Sequence, residues 1–148
     1  MRARRLESAS DLRDAETRRV RHLITLDARN VVARLERRLV EMVGLFSRLR
    51  DRAPLLEAVK SWFPGVSFGQ LALLEPEEQR AVDAFYRVVE DLRWYLEYTE
   101  DMPLQLERTI GLLFRGIVES HAALVGVVGR PEDDGKRPRR RGKRRHSR

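Results

Sequence analysis

The chain has 148 residues, no cysteine, and 30 Lys and Arg against 23 Asp and Glu, for a formal charge of +7. This length fits one ordinary domain plus tails with a useful core. The missing cysteine excludes both a disulfide framework and a thiolate metal site, and a reducing compartment is compatible with it.

The N-terminal MRARRLESASD is basic but is not followed by the apolar stretch of a secretory leader. No run of residues approaches the ~20 apolar positions of a bilayer span, so a cytoplasmic protein with no transmembrane segment is expected. Between Met1 and Val43 there is neither Pro nor Gly, and from Ser10 on the residues are mostly acceptable helix formers, so one long helix is predicted. Ser10 reads as its N-cap, with Asp11, Asp14 and Glu16 near the positive end of the helix dipole. Val20, Ile24, Ala28, Val31, Leu35, Leu39, Met42 and Phe46 recur at spacings of three and four, a single buried stripe. Taken from Asp11 to Asp51, this helix would be roughly 60 Å long at ~1.5 Å per residue.

In the following segment, Pro54 suits the first turn of a helix and Pro64-Gly65 ends it, which predicts a short helix over 54–63 and another turn or two over 68–74. Pro76, Glu77 and Glu78 open a second long helix, carried to Thr99, with Val82, Phe85, Val89, Leu92 and Leu96 as its stripe. After EDMP a third begins at Pro103, its stripe formed by Leu106, Ile110, Leu113, Ile117, His121, Leu124 and Val128, and it ends in VGVVG. The expected fold is all-α: a bundle of three long amphipathic helices plus one short helix, with a disordered basic C-terminal tail.

The lengths do not match. The second helix covers only about 36 Å, so the first should overhang its partners by about 20 Å, at the N-terminal end where its stripe is weakest. Residues 1–20 are therefore read as a basic arm, 21–129 as the bundle domain and 130–148 as the tail. The arm can fray, contact a polyanion, or pair with a second subunit.

Catalysis needs groups set in geometry and pKa, and the sequence offers no such constellation. Gly65 and Gly69 lack the lysine of a phosphate-binding loop. Glu119 and His121 lie two apart and point to different sides of a helix, so they make no di-iron pair. His22, His121 and His146 are too scattered for a metal centre. His121 falls within an apolar stripe and reads as a hydrogen-bonded core histidine. No enzyme, metal or cofactor is expected.

Two features point to binding instead. At about 100° per residue Trp94 lies almost opposite the stripe of its helix, with Tyr98 one turn further on. Either the 54–74 segment covers this second face with Trp62, Phe63 and Phe68, or Trp94 and Tyr98 form an exposed aromatic protein interface. Gly111, Ala122 and Gly126 lie away from the stripe of the last helix, where small residues would let another helix approach.

The second feature is the distribution of charge. From Arg130 on there are ten basic and three acidic residues, so residues 1–129 have no net charge and the whole +7 sits in the tail. The tail has no aliphatic or aromatic core residue and cannot offset its ordering entropy by burial. Lys136, Arg137, Arg139, Arg140, Arg141, Lys143, Arg144, Arg145 and Arg148 form a dense field, and Arg holds phosphate by two parallel hydrogen bonds. Such a segment is either a solubilising end or a polyanion contact. Among polyanions, nucleic acid is favoured, bound without sequence preference; an anionic membrane or an acidic protein are the alternatives. The sequence therefore predicts a non-enzymatic, self-associating nucleic-acid-binding bundle. Its competitor is a scaffold subunit whose main interface is the bundle.

Overall fold

The computed structural model describes residues 2–100 and 102–129, with side chains from Ala9 on. Five helices follow in order: α1 Arg2–Leu49, α2 Ala53–Ala58, α3 Phe68–Leu71, α4 Pro76–Tyr98 and α5 Pro103–Val128, with a 3-10 turn at Phe63–Gly65. The described residues contain no strand, and α1, α4 and α5 are the three long elements that the periodicity predicts.

The stripes face inward as expected. On α1, Val20, Ile24, Ala28, Val31, Leu35, Met42 and Phe46 are buried; on α4, Val82, Phe85, Val89, Leu92 and Leu96; on α5, Leu106, Ile110, Ile117, Leu124 and Val128. Leu39 and Leu113 are half-buried against the same core. Burial of such side chains is the main stabilising term of a bundle this size, at about 1.5–3 kcal/mol each.

Helix α1 begins earlier than predicted. Ser10 is an interior helical residue and not the N-cap, because nothing in ARRLESASD interrupts helix propagation. The other end comes at Leu49, where Arg50 adopts a left-handed φ of 55° and its N–H donates to the Phe46 carbonyl at 2.8 Å, an αL-type stop made without glycine. Residues 9–19 are exposed except for half-buried Thr17, so the predicted overhang lies at the N-terminal end.

Side-chain contacts give the directions. Arg21 meets Glu78, Asp27 meets Tyr86, and Arg52 reaches the 96–99 end, so α1 and α4 run the same way. Arg52 donates to the carbonyls of Leu96, Glu97 and Thr99 at 3.0, 2.9 and 2.8 Å, placing a cation on the negative end of the α4 dipole. Helix α5 returns antiparallel and packs against α4 and α1. Where α5 packs on α4, a Cβ built on Gly116 would lie 3.2 Å from Val88 Cγ1. That contact calls for a small residue at Gly116, whereas Gly111 and Gly126 face open space.

Since α1 and α4 are parallel, residues 50–75 must travel back along α1, and this explains why the predicted 54–63 helix stops at Ala58. The carbonyls of Ala58 and Lys60 are taken by the Arg34 guanidinium, and the Trp62 N–H donates to Asp27 Oδ1 at 3.0 Å. These backbone groups find partners on α1 and not in a further helical turn. Phe68–Leu71 then forms the expected extra turn, with a capping box between Ser67 and Gln70.

Asp27 therefore accepts from two elements, since the Tyr86 hydroxyl also donates to its Oδ2 at 2.8 Å. Burial, followed by the hydrogen bond to Asp27 and its charge, pushes the Tyr86 hydroxyl far above the ordinary tyrosine range. Asp27→Ala removes the acceptor of the Trp62 N–H and leaves the Tyr86 hydroxyl only the Ile24 carbonyl at 3.4 Å, and is expected to cost about 1–2 kcal/mol in denaturant unfolding. A loss under about 0.5 kcal/mol would refute this role.

Candidate interaction surfaces

Helix α4 presents Trp94 and Tyr98 on the face away from the core. Their ring centroids are 5.2 Å apart at 44°, and they are 61% and 64% exposed. The 54–74 segment does not cover them, contrary to one sequence expectation. Its Phe63 stacks instead on Tyr86, centroids 3.9 Å apart and planes within 7°, while Trp62 and Phe68 are 82% and 92% exposed. The reason is geometric: Asp27 fixes both Trp62 N–H and the Tyr86 hydroxyl, so Phe63 is held beside Tyr86, more than two helical turns before Trp94. Trp94→Ala and Tyr98→Ala should each change stability by less than about 0.5 kcal/mol. Phe63→Ala, which breaks a packed aromatic pair, should cost about 2 kcal/mol; thermal or denaturant melts of the three variants check this ranking.

Between the return segment and α4 lies a groove of about 700 Å³ that includes Lys60, Tyr86, Arg87, Glu90, Arg93 and Glu97. Within it Lys60 pairs with Glu57, Arg87 with Asp83, and Arg93 with Glu90 and Glu97. Among the described residues no three His, Cys, Asp or Glu side chains are grouped to hold a metal ion.

His121 lies on the predicted stripe but is half-buried, and its Nε2 is buried without a hydrogen-bond partner, so it is not the hydrogen-bonded core histidine the stripe implied. Its ring centroid is 5.9 Å from that of Phe85. Desolvation holds its pKa below the ordinary imidazole value, outweighing the opposite pull of Glu36. The unfolded chain thus takes up this proton near pH ~6.5 while the folded chain resists it, so His121 lowers stability as pH falls through and below that value. His121→Leu should flatten the stability profile below about pH 6.5 relative to the parent. Parallel profiles for the two proteins would contradict the assignment.

Helix α5 carries aliphatic residues on its outer side as well as its inner one. By length and composition alone it could cross a membrane, with a mean hydropathy of 1.5 over its most apolar stretch, of which only 17% is buried. Glu107, Arg108, Arg115 and Glu119 interrupt its apolar residues, so no unbroken apolar run in it reaches the ~20 residues of a span. Leu104 and Leu112 are 72% and 61% exposed, and Val118 and Val125 are exposed as well. The outer-face glycine Gly111 has nothing within 4 Å of where a Cβ would be.

The nine basic tail residues from Lys136 to Arg148 lie outside the described residues. Sequence reasoning missed Asp27, Arg34 and Arg52; a charged residue flanking an apolar stripe was the available signal, but it does not name the partner. The fold defines an all-α bundle with uncovered aromatic and aliphatic faces. No family model, curated protein or solved structure matches the chain.

Proposed function

We propose that this chain is a non-enzymatic helical protein that holds nucleic acid without sequence preference through its Arg-rich tail, with self-association of the bundle multiplying the contact. The observation that carries the reading is the segregation of charge, with residues 1–129 neutral and all of the +7 beyond them. Each phosphate neutralised releases counterions, and Arg binds phosphate through a planar fork, so a polyanionic backbone is the natural ligand of such a segment. Several weak tails carried on one assembly raise overall affinity through effective concentration. In this reading the protein works in the cytoplasm, on nucleic acid that is itself polyvalent.

A second reading has its own supporting observation. Trp94 and Tyr98 are the residue types that dominate interface hot spots, and they lie together, exposed, on a face the core does not use. In that reading the bundle is a scaffold subunit that docks another protein, and the tail is accessory.

The first reading is tested by measuring binding of random-sequence duplex and single strands to the full chain and to a chain ending at Gly129, across a salt series. The full chain should bind at low salt with a slope of about −0.9 per phosphate neutralised on duplex, and truncation should remove most of both affinity and slope. A full chain that does not bind, or a truncation that changes neither quantity, overturns the reading and leaves the aromatic face as the basis of function.

A further inference from the structure

Trp94 is an exposed aromatic ring bordered by carboxylates. The positions three and four residues to either side of it on α4, its neighbours on the helix surface, are Glu90, Asp91, Glu97 and Tyr98. All five side chains are exposed. Tyr98 lies beside the indole with centroids 5.2 Å apart. Residues 90–101 hold five acidic side chains against one basic residue, Arg93. That Arg93 is 3.6 and 3.7 Å from Glu90 and Glu97, so a single cation serves two carboxylates.

A ring face with carboxylates around it fits a cation. A guanidinium laid on the indole can donate to a carboxylate beside it, so the two contacts act together, whereas a phosphate would be repelled there. The neutrality of residues 1–129 thus includes a local acidic excess at this end of α4, and the largest basic excess of the sequence lies beyond Gly129.

Two further observations point to that C-terminal segment as the source of the cation. The first is reach. Gly116 meets Val88 and His121 meets Phe85, so α5 runs back along α4 and its end at Gly129 is level with the start of α4 near Pro76. From there Glu90 and Trp94 lie about 21 and 27 Å along α4, at ~1.5 Å per residue. Lys136 and Arg137 are seven and eight residues past Gly129, and an extended chain of that length spans about 23–29 Å at ~3.3–3.6 Å per residue.

The second is the order of charge. Arg80, Arg87 and Trp94 recur every seven residues, so the two exposed arginines stand on the same side of α4 as the ring and precede the acidic group; Arg87 also pairs with Asp83. The C-terminal segment has the opposite order, with Glu132, Asp133 and Asp134 first and the basic residues from Lys136 after them. Its acidic residues fall about 10–18 Å from Gly129 in extended chain, and Arg80 and Arg87 stand about 6 and 17 Å along α4. Laid along α4 from its start, the segment therefore sets acidic groups against basic ones and then basic against acidic.

We infer that the segment from Arg130 folds back along the outer side of α4, with its basic residues from Lys136 on against Trp94, Tyr98 and the carboxylates around them. The inference goes beyond the function proposed above, because it concerns the segment when no nucleic acid is present. A polyanion that takes the segment has to displace it from α4, so the bundle sets the threshold for that binding.

Trp62 and Trp94 are the two tryptophans, and Trp62→Phe, at a position 82% exposed, leaves Trp94 as the sole reporter. The test is acrylamide quenching of Trp94 in this variant, at low salt and without nucleic acid. The full chain is compared with a chain ending at Gly129, which keeps every buried core residue. Quenching should be roughly twofold stronger in the shortened chain, where the segment no longer lies over the ring. The ratio between the two chains should fall to one at high salt, which screens surface charge. It should also fall to one when Asp91→Lys and Glu97→Lys are introduced together into both chains, and it should hold on dilution. A ratio of one before these changes, or a ratio indifferent to the charge reversals, overturns the inference. A ratio lost on dilution places the segment on a second copy and overturns it as well. No outcome here depends on nucleic acid, so failure of this contact is distinguishable from failure of the nucleic-acid reading.

Discussion

The carboxylate of Asp27 is the point on which the arrangement of the bundle depends. One of its oxygens takes the Trp62 N–H and the other takes the Tyr86 hydroxyl, so a single side chain on α1 holds both the return segment and α4. Two parallel helices cannot be joined by a short turn, and the connection from Leu49 to Pro76 has to run the length of the bundle. That connection contains only short helical pieces and cannot satisfy its own backbone, so α1 supplies the partners: Arg34 for the Ala58 and Lys60 carbonyls, Asp27 for the Trp62 N–H. Arg21 does the corresponding work at the start of α4, donating to both oxygens of buried Glu78, which also caps its own helix by accepting from the Glu75 N–H. Arg52 does so at its end.

The same arrangement explains which surfaces are left over. Phe63 is drawn to Tyr86, so Trp94 and Tyr98 have only each other. The first helix is longer than the elements beside it, and its residues 9–19 are exposed apart from half-buried Thr17. On α5 the inner stripe is used by α4 and α1, and the outer side is not used. The specific surfaces of this protein are therefore those a three-helix core of this length leaves uncovered, and the proposed functions draw on these and on the cationic segment that follows α5.

Most of the fold was legible because helical periodicity is a local property. The α1, α4 and α5 stripes could be read position by position, and Pro76 and Pro103 do stand at helix starts. Two local readings went astray because the sequence carries no local sign of the outcome. Ser10 is a good cap residue, yet the residues before it are also good helix formers, and propagation prevailed. His121 sits on the stripe, but its hydrogen-bond partner depends on which side chains α1 and α4 bring to it, and none reaches its Nε2. The aromatic pair was found from phase alone, but its exposure could not be, since a covering segment was equally compatible with the residues available.

The sequence by itself determined where the helices run, which side of each is apolar, and that the net charge lies beyond Gly129, because these follow from spacing and composition along the chain. Only the tertiary structure decided that α1 and α4 run in the same direction, that the return segment is pinned to Asp27, that Trp94 and Tyr98 stay exposed, and that Gly116 rather than Gly111 meets a neighbouring helix within the chain. Each of these depends on hydrogen bonds or contacts between residues far apart in sequence, and a one-dimensional pattern specifies which faces are to be buried without specifying what will bury them.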